Sequence, residues 1–251
     1  MRLLIISDIH ANPFALKAIE KQETWDEIYC CGDLVDYGPF PMQVIDWCRE
    51  REVKCVLGNH DAYVLSLTEE DCVMAKNTKR WKWAHDNYQQ LTDDAKKYLC
   101  SLPLSLSFQA DGIDYQMQHQ YDQAYGTIES LEQFQTFWMD KTDCSRERRL
   151  LFGHSHRRCV HMLDDHLLWL NPGSVSYRRP DDHDKRAHYM LIDDTHICFK
   201  SVSYDRSPLL AKAQEYLDSD AMLETDLQDA FFFFGDAPTT RSPLSMWKKQ
   251  V

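Results

Sequence analysis

The sequence predicts an α/β protein with a mostly parallel β-sheet whose functional site lies just beyond the strand ends. Three short apolar runs end in polar residues within the first sixty positions, at residues 3–6, 28–31 and 53–57. Segments with helical spacing separate these runs, and strand–helix repeats of this kind build parallel sheets that bind ligands at their carboxyl ends. The 251 residues show no internal repeat and no low-complexity linker, so we expect a single domain over residues 1–251.

The first apolar run ends in Ser7-Asp8-Ile9-His10. Four to eight apolar residues that end in polar groups are typical of a buried strand that runs into a loop. A carboxylate and an imidazole at the end of such a strand suit a divalent cation, which makes Asp8 and His10 candidate metal ligands. Taken alone, the pair is equally typical of a solvated strand end. A helix is predicted over residues 13–20, with Pro13 in its first turn.

Two further strand ends carry similar polar groups. Gly32-Asp33-Leu34-Val35-Asp36 follows the second apolar run, and Gly58-Asn59-His60-Asp61 follows the third. A helix is predicted between them over residues 44–51. Because the site of a parallel sheet lies outside the carboxyl ends of its strands, these groups belong to the same candidate site as Asp8.

The segment over about residues 64–100 is expected to be a helical cap insertion. It is polar, favours helix and contains several large aromatic residues, among them Trp81 and Trp83. Because the insertion begins shortly after His60 in the sequence, it should lie over or beside the mouth of the site. Aromatic faces stack on bases and lysines attract polyphosphate, which makes Trp81 and Trp83 candidate substrate contacts. The alternative is that both indoles only pack the cap helices together.

The second half of the chain is predicted to form a further series of strands with histidines at two of their ends. His119 follows a strand over residues 113–117, and Gly153-His154-Ser155-His156 follows a strand over residues 149–152. The other predicted elements are strands at 104–108 and 167–170, a helix at 131–139 and a hairpin over 188–192 and 196–202. A C-terminal extension over about residues 206–251 is predicted to be helical and then irregular.

Composition narrows the class of protein. The net charge of −12, from 40 acidic and 28 basic residues, argues against a protein that coats nucleic acid or an anionic membrane. Nine cysteines without Cys-x-x-Cys spacing are typical of reduced, mostly buried thiols. The apolar run before Asp8 is too short for a signal peptide or a membrane span. We expect a cytoplasmic protein without a membrane partner or extensive nucleic-acid binding, and the oligomeric state stays open.

Five motifs together resemble the calcineurin-like metallophosphoesterase superfamily, and in particular its small bacterial and archaeal phosphodiesterases. They occur in the family's order over residues 6–174 and comprise Asp8-x-His10, Gly32-Asp33-x-x-Asp36, Gly58-Asn59-His60-Asp61, His119 and Gly153-His154-x-His156. The broader similarity extends to about residue 205. The resemblance implies two β-sheets packed face to face, with helices on the outside.

The resemblance also implies a pair of divalent cations held by seven side chains. Asp33 would bridge the cations; Asp8, His10 and His156 would complete one of them, and Asn59, His119 and His154 the other. Oxygen and nitrogen donors without a thiolate suit Mn²⁺, Fe or Zn²⁺ better than Ca²⁺ or a soft metal. Two such cations about 3.5–4 Å apart activate a water and clamp phosphoryl oxygens.

Further roles are implied beside the metals. His60 matches the family's histidine that is not a ligand, and Asp36 matches its acid partner, so His60 would stabilise phosphate charge and protonate the leaving oxygen. Four arginines follow the site motifs and are candidate phosphate contacts, with a solvated charge as the alternative for each: Arg157, Arg158, Arg178 and Arg179. Arg157 and Arg178 are the two we assign to the substrate site. Asn171-Pro172-Gly173-Ser174 is expected to be a supporting turn near the site.

Two positions depart from the family pattern. Gln120 follows His119 where the family usually has glycine, which puts the local geometry in question and leaves His85 as the fallback ligand. Tyr37 follows Asp36 where the protein serine/threonine phosphatases of the superfamily carry arginine, which favours the small phosphodiesterase branch.

The function predicted from the resemblance is metal-dependent hydrolysis of a small phosphorylated substrate. Phosphodiesters are preferred over phosphomonoesters, and nucleotide polyphosphates such as diadenosine tetraphosphate are serious candidates. The alternative is a non-catalytic interaction module on the same fold, as in the retromer subunit that lacks the catalytic histidine. Because His60 and all seven ligand positions are present, the enzyme is the favoured hypothesis.

Overall fold

Two five-stranded β-sheets form the centre of the molecule, with helices on the outside. The structure is a computed structural model that describes residues 1–121, 128–138, 147–177 and 179–248. The strands in this part of the chain are β1 (Arg2–Ile6), β2 (Glu27–Cys30), β3 (Lys54–Cys55), β4 (Ser105–Ala110), β5 (Ile113–Gln118), β6 (Arg148–Leu151), β7 (Arg158–Asp164), β8 (Leu167–Pro172), β9 (Ala187–Asp193) and β10 (His196–Val202). The helices are α1 (Pro13–Gln22), α2 (Pro41–Glu50), α3 (Asn59–Ser66), α4 (Glu69–Asn77), α5 (Trp83–Gln90), α6 (Asp93–Ser101), α7 (Leu131–Phe137), α8 (Ser207–Asp218) and α9 (Glu224–Phe233), followed by a short 3₁₀ helix, Leu244–Met246.

The first sheet has the strand order β10-β9-β1-β2-β3 and is mixed rather than mostly parallel. β1, β2 and β3 run parallel, as the strand–helix repeats predicted. The hairpin of β9 and β10 then returns beside β1 in the antiparallel direction, with Leu191 opposite Leu4. The prediction of a mostly parallel sheet was wrong because nothing in the first sixty residues indicates a partner on the other side of β1.

The second sheet has the order β4-β5-β6-β8-β7 and is also mixed. β5, β6 and β8 are parallel neighbours, whereas β4 and β7 pair antiparallel at the two edges. The sequence analysis missed β7. Its alternate side chains face solvent, yet the exposed face includes Val160 and Met162, so polar and apolar residues do not alternate as they do in a half-buried strand.

The two sheets pack face to face, which confirms the predicted sandwich. Leu3 and Ile5 of β1 belong to a buried cluster with Met117 of β5 and Leu151 of β6, while Leu4 lies in a second cluster on the helical side. Because both faces of β1 are covered, its apolar residues form a continuous run instead of an alternating pattern.

The insertion holds three helices, α4, α5 and α6, and packs on the body of the molecule. Leu91, Ala95 and Leu99 are buried in the same cluster as Val44 and Ile45 of α2. At the start of α4, the Thr68 side chain caps the helix by accepting a hydrogen bond from the amide of Asp71.

The C-terminal helices α8 and α9 cover the insertion. Leu209 and Leu217 of α8 and Phe231 of α9 are buried in one cluster with Trp81 and Trp83. Within the described ranges, no helix is both long enough and apolar enough to traverse a lipid bilayer.

Candidate active site

The candidate site lies at one edge of the sandwich, where loops from both sheets meet. Asp8 follows β1, Asp33 follows β2, and Asn59 begins the helix after β3. From the second sheet, His119 follows β5, and the loop after β6 carries His154 and His156. The structure therefore brings together all seven residues proposed as ligands.

One group of four ligand candidates is fully enclosed in the protein. Asp8, His10, Asp33 and His156 are buried, and one possible ligand atom from each lies within 4.8 Å of the others. His156 Nε2 lies 3.1 Å from Asp8 Oδ1 and 3.2 Å from His10 Nε2. Two carboxylates and two imidazoles can hold a divalent cation in this arrangement.

The second group surrounds the side-chain oxygen of Asn59. His119 Nε2 and His154 Nδ1 each lie 2.8 Å from Asn59 Oδ1. His119 Nε2 is also 3.2 Å from Asp33 Oδ2. Asp33 therefore lies between the two groups, which is the position that a bridging carboxylate requires.

Backbone carbonyls set the tautomers of two histidines. Nδ1 of His119 donates to the carbonyl of Cys31 at 2.6 Å, and Nδ1 of His10 donates to the carbonyl of Val35 at 3.3 Å. Since a carbonyl only accepts, each ring carries a proton on Nδ1, and Nε2 is the ring nitrogen that could bind a metal.

The buried polar atoms fit cations better than a metal-free interior. Asp8 Oδ2 has no hydrogen-bond partner among the described residues, although buried carboxylate oxygens normally have one. Burial raises the pKa of Asp8, but His156 more than offsets this and lowers it to about 2. Burial lowers the pKa of His10 to about 3. The group therefore holds a charged carboxylate beside a neutral imidazole, the protonation states in which these side chains bind metals.

Two glycines permit the close approach of these loops. A Cβ at Gly58 would lie 2.1 Å from Asp33 Oδ1, and a Cβ at Gly153 would lie 2.0 Å from Ser7 Oγ. Neither distance is sterically possible, so any side chain at Gly58 would push Asp33 out of place.

The backbone of the site is strained. Six candidate residues have positive φ, namely Asp8 (52°), His10 (49°), Asp33 (57°), Asp36 (67°), His154 (61°) and His156 (58°). A left-handed conformation costs about 1–3 kcal/mol for a residue other than glycine and is concentrated at functional sites. Such a cluster indicates that the loops are shaped for the site and not for stability.

His60 lies beside the two groups and is paired with an acid. Its Nδ1 is 2.7 Å from Asp36 Oδ2, and its backbone amide donates to Asp33 Oδ1 at 2.8 Å. Burial opposes the imidazolium, but the hydrogen bond to Asp36 and the charge of Asp33 raise the pKa of His60 to about 9. The ring of Tyr37 lies 4.5 Å from that of His60 and closes one side of it.

A model of the calcineurin-like phosphoesterase superfamily domain matches residues 1–196. The chain belongs to the calcineurin-like phosphoesterase superfamily. An uncharacterised protein of Methanocaldococcus jannaschii is 29% identical over 224 residues, which cover 81% of this chain and 88% of that protein. The symmetrical bis(5′-nucleosyl)-tetraphosphatase of Chromobacterium violaceum is 35% identical over 75 residues, only 28% of this chain and 27% of that protein.

Solved structures agree with the superfamily fold. A metallophosphoesterase from Sphaerobacter thermophilus superposes with a TM-score of 0.69 at 24% identity, covering 92% of this chain and 98% of that one. A hypothetical protein from Pyrococcus horikoshii superposes with a TM-score of 0.72 at 16% identity, with the same coverage. At these identities the likeness establishes the fold alone.

Asp61 supports the site, although the sequence analysis assigned no role to it. Asp61 accepts hydrogen bonds from the backbone amides of Asp33, Leu34 and Val35 at 2.8–3.1 Å and from that of Gly58 at 3.0 Å. It therefore fixes the loop that carries Asp33. Its place at the end of the Gly58-Asn59-His60-Asp61 motif was the available signal.

The loop of His154 is also supported from behind. The side-chain amide of Asn171 donates to the carbonyl of Gly153 at 2.6 Å; Asn171 has the expected supporting role, but it lies in β8 and not in a turn. Arg179 donates to the carbonyls of His154 and Ser155 at 2.7 and 2.8 Å. The sequence analysis considered Arg179 only as a phosphate contact or a solvated charge, because an arginine that binds backbone has no distinctive spacing.

The residues predicted to contact the substrate, unlike the ligand candidates, are not brought together at the site. Arg157 is exposed and forms a bidentate ion pair with Asp181 at 2.6 and 2.8 Å, and Arg178 lies outside the described residues. Trp81 and Trp83 are only 4% and 0% exposed, so they present no face on which a base could stack. Their burial agrees with the alternative that both indoles pack helices together, and the C-terminal helices, far away in the sequence, belong to the same buried cluster.

The insertion nevertheless touches the site. Asn87 of α5 accepts a hydrogen bond from the amide of Asp36 at 2.9 Å and donates to the carbonyl of Gly38 at 2.8 Å. It thus steadies the loop that carries the partner of His60. His85, the fallback ligand, lies instead against Trp81, with ring centroids 5.3 Å apart.

Proposed function

We propose that the protein hydrolyses phosphate esters with two divalent metal ions, and that phosphodiesters are its preferred substrates. The observation that carries the proposal is the meeting of seven ligand candidates and one acid-paired histidine at a single edge of the sandwich. Such a set has no purpose in stability, because it concentrates buried charge and backbone strain.

Each ligand candidate has a role in the proposal. Asp33 would be shared by both ions; Asp8, His10 and His156 would hold one, and Asn59, His119 and His154 would hold the other. The donors suit Mn²⁺, Fe or Zn²⁺. When bound, the ions would activate a water for attack on phosphorus and neutralise phosphoryl charge.

His60 acts on the leaving group in this proposal. Asp36 engages Nδ1, which leaves Nε2 as the ring nitrogen available to the substrate. The pKa raised by Asp36 keeps a proton on His60 at neutral pH, and His60 passes that proton to the departing oxygen. Asp36 is a positioning residue, since it acts through the imidazole.

Nucleotides are the leading substrate class. The support is the name of the partial relative in Chromobacterium violaceum, a tetraphosphatase acting on bis(5′-nucleosyl) substrates. That match covers about a quarter of each chain, so dinucleoside polyphosphates enter as candidates beside simpler nucleotide diesters.

A substrate panel tests the proposal. Purified protein would be freed of metal, supplied with Mn²⁺ and assayed on bis(p-nitrophenyl) phosphate, p-nitrophenyl phosphate and diadenosine tetraphosphate. We expect turnover of the diester to exceed that of the monoester and to vanish with chelator. Absence of turnover on all three with Mn²⁺, Fe²⁺ and Zn²⁺ would favour the non-catalytic module.

A further inference from the structure

A cavity of about 310 Å³ opens beside the second group of ligand candidates. Asn59 and His119 form one end of it, and Leu57, Ala62 and Leu104 line its walls. The volume is at the lower end of the range for small-molecule sites. Anything that occupied this cavity would adjoin the position that the proposed function gives to the phosphate.

The lining is neutral. Among the described residues, no lysine, arginine, aspartate or glutamate lines the cavity. A polyphosphate chain would find no counter-charge there, and cations are what phosphate recognition requires. The cavity is therefore suited to the uncharged organic part of a substrate.

Two amides give the cavity a polar edge. Gln118 and Gln120 both line it. The Oε1 of Gln120 is buried although the residue is only half-buried, so Nε2 is the atom of this amide that a ligand could reach. Gln118 donates to the backbone carbonyl of Gln120 at 2.7 Å, so its amide is already engaged. An amide nitrogen donates hydrogen bonds, and the edge of a nucleobase offers acceptor atoms.

We propose that this cavity is a nucleobase subsite, in which Leu104 packs on the flat face of the base and Gln120 bonds its edge. The inference rests on the proposed function, because the ligand candidates at the end of the cavity must hold the phosphate. In this proposal the cavity selects the substrate, and the tryptophans of the insertion do not contact it. It also gives a purpose to Gln120, which stands where the superfamily pattern has glycine.

Two chromogenic diesters with the same leaving group test the subsite. Methyl p-nitrophenyl phosphate lacks a base, whereas thymidine 5′-(p-nitrophenyl phosphate) carries one. We expect the wild-type protein to prefer the thymidine ester in kcat/KM. Leu104→Ala and Gln120→Met should each lower that preference roughly tenfold, one by removing apolar contact and the other by removing the hydrogen bond.

Met162→Ala is the matched control for Leu104→Ala, because both side chains are largely exposed: 61% for Met162 and 72% for Leu104. Met162 lies on the edge strand β7 and does not line the cavity. Neither change should unfold the protein. The control should keep the wild-type preference. Equal preference in the wild type, or a preference untouched by both cavity variants, would overturn the subsite while leaving the proposed function intact.

Binding affinities measured by calorimetry test the nucleobase subsite independently of the proposed hydrolysis. Thymidine 5′-phosphate should bind the Mn²⁺-loaded protein more tightly than methyl phosphate, and Leu104→Ala should reduce that difference. If neither diester is hydrolysed, the proposed function fails, and the calorimetric difference still decides the subsite. Equal affinities for both phosphates would refute the nucleobase subsite.

Discussion

At the scale of single residues, Asp33 is the side chain on which both groups of ligand candidates depend. Asp33→Asn keeps the shape but removes the charge that two cations would share. We expect loss of activity and of much of the bound metal. Metal analysis and circular dichroism would test this together, and a fully loaded, active variant would contradict the bridging role.

His60 is predicted to act without holding a metal. His60→Gln should lower the rate by roughly 10²–10⁴-fold, the usual contribution of a positioned acid, while the metal content stays the same. The loss should be smaller with p-nitrophenolate as leaving group, which needs little protonation. His196→Gln, an exposed histidine of β10, is the control. Loss of a metal in His60→Gln would make His60 a ligand and the assigned role wrong.

The ligand candidates could be proposed from the sequence because each follows a locally visible strand and because the motifs resemble those of the superfamily. Their conformations could not. Positive φ at Asp8 and Asp33 depends on support from elsewhere, such as Asp61, which accepts from the amide of Asp33. Long-range support of this kind leaves no local pattern in the sequence.

At the scale of elements, Trp83 joins the insertion to the C-terminal extension. Its ring meets that of Tyr216 edge to face at 5.4 Å, and its amide donates to Asp226 at 3.3 Å. Trp83→Ala should lower the free energy of unfolding by about 3–5 kcal/mol, as other large buried truncations do. Met74→Ala, at a residue of the same insertion that is 59% exposed, should change it by less than about 0.5 kcal/mol. Urea unfolding measures both, and equal effects would contradict the packing role.

A buried carboxylate ties the end of α1 to the first sheet. Glu23 accepts hydrogen bonds from Lys200 at 2.7 and 3.0 Å and from Tyr189 at 2.7 Å, and it pairs with Arg2 at 2.9 Å. Burial would raise the pKa of Glu23, but these partners lower it below its usual value of 4.5.

This lowered pKa predicts a pH dependence of stability. The stabilisation is present above the unfolded pKa of about 4.5 and disappears as the pH falls through the lower pKa of the folded state. Glu23→Gln should therefore destabilise the metal-free protein at pH 7, and the difference from wild type should shrink in acid. Glu70→Gln, an exposed acid of α4, is the control. Urea titrations that gave a constant difference from pH 7 down to acid would contradict the assignment.

Sequence analysis placed correctly those elements whose hydrophobic periodicity and boundaries are visible in the local sequence. The helix from Pro13 and the strand at His196–Val202 have clear local periodicity and boundaries. The edge strand β7 was missed and the burial of Trp81 was left open, because both depend on partners distant in the chain. A tryptophan in a polar segment gives the same local signal whether a substrate or a helix covers it.

At the scale of the whole molecule, the proposed metals would join the two sheets. Asp8 and Asp33 come from the first sheet, while His119 and His154 come from the second. A ligand that binds only the folded state stabilises it in proportion to the logarithm of its concentration. Adding Mn²⁺ to the metal-free protein should therefore raise Tm progressively, and should do so much less in Asp33→Asn. A Tm independent of Mn²⁺ would argue against metal binding across the sheets.

The position of β1 also affects how the chain is made. β1 leaves the ribosome before either of its two neighbours, and one of these, β9, spans Ala187–Asp193. Until that late segment emerges, one edge of β1 is unpaired and its apolar side chains lack part of their cover, which favours association with other chains. Pairing over such a sequence separation is also slow. A nascent chain interrupted before β9 is therefore predicted to be a substrate for chaperones or proteases, even though it already carries every proposed metal ligand.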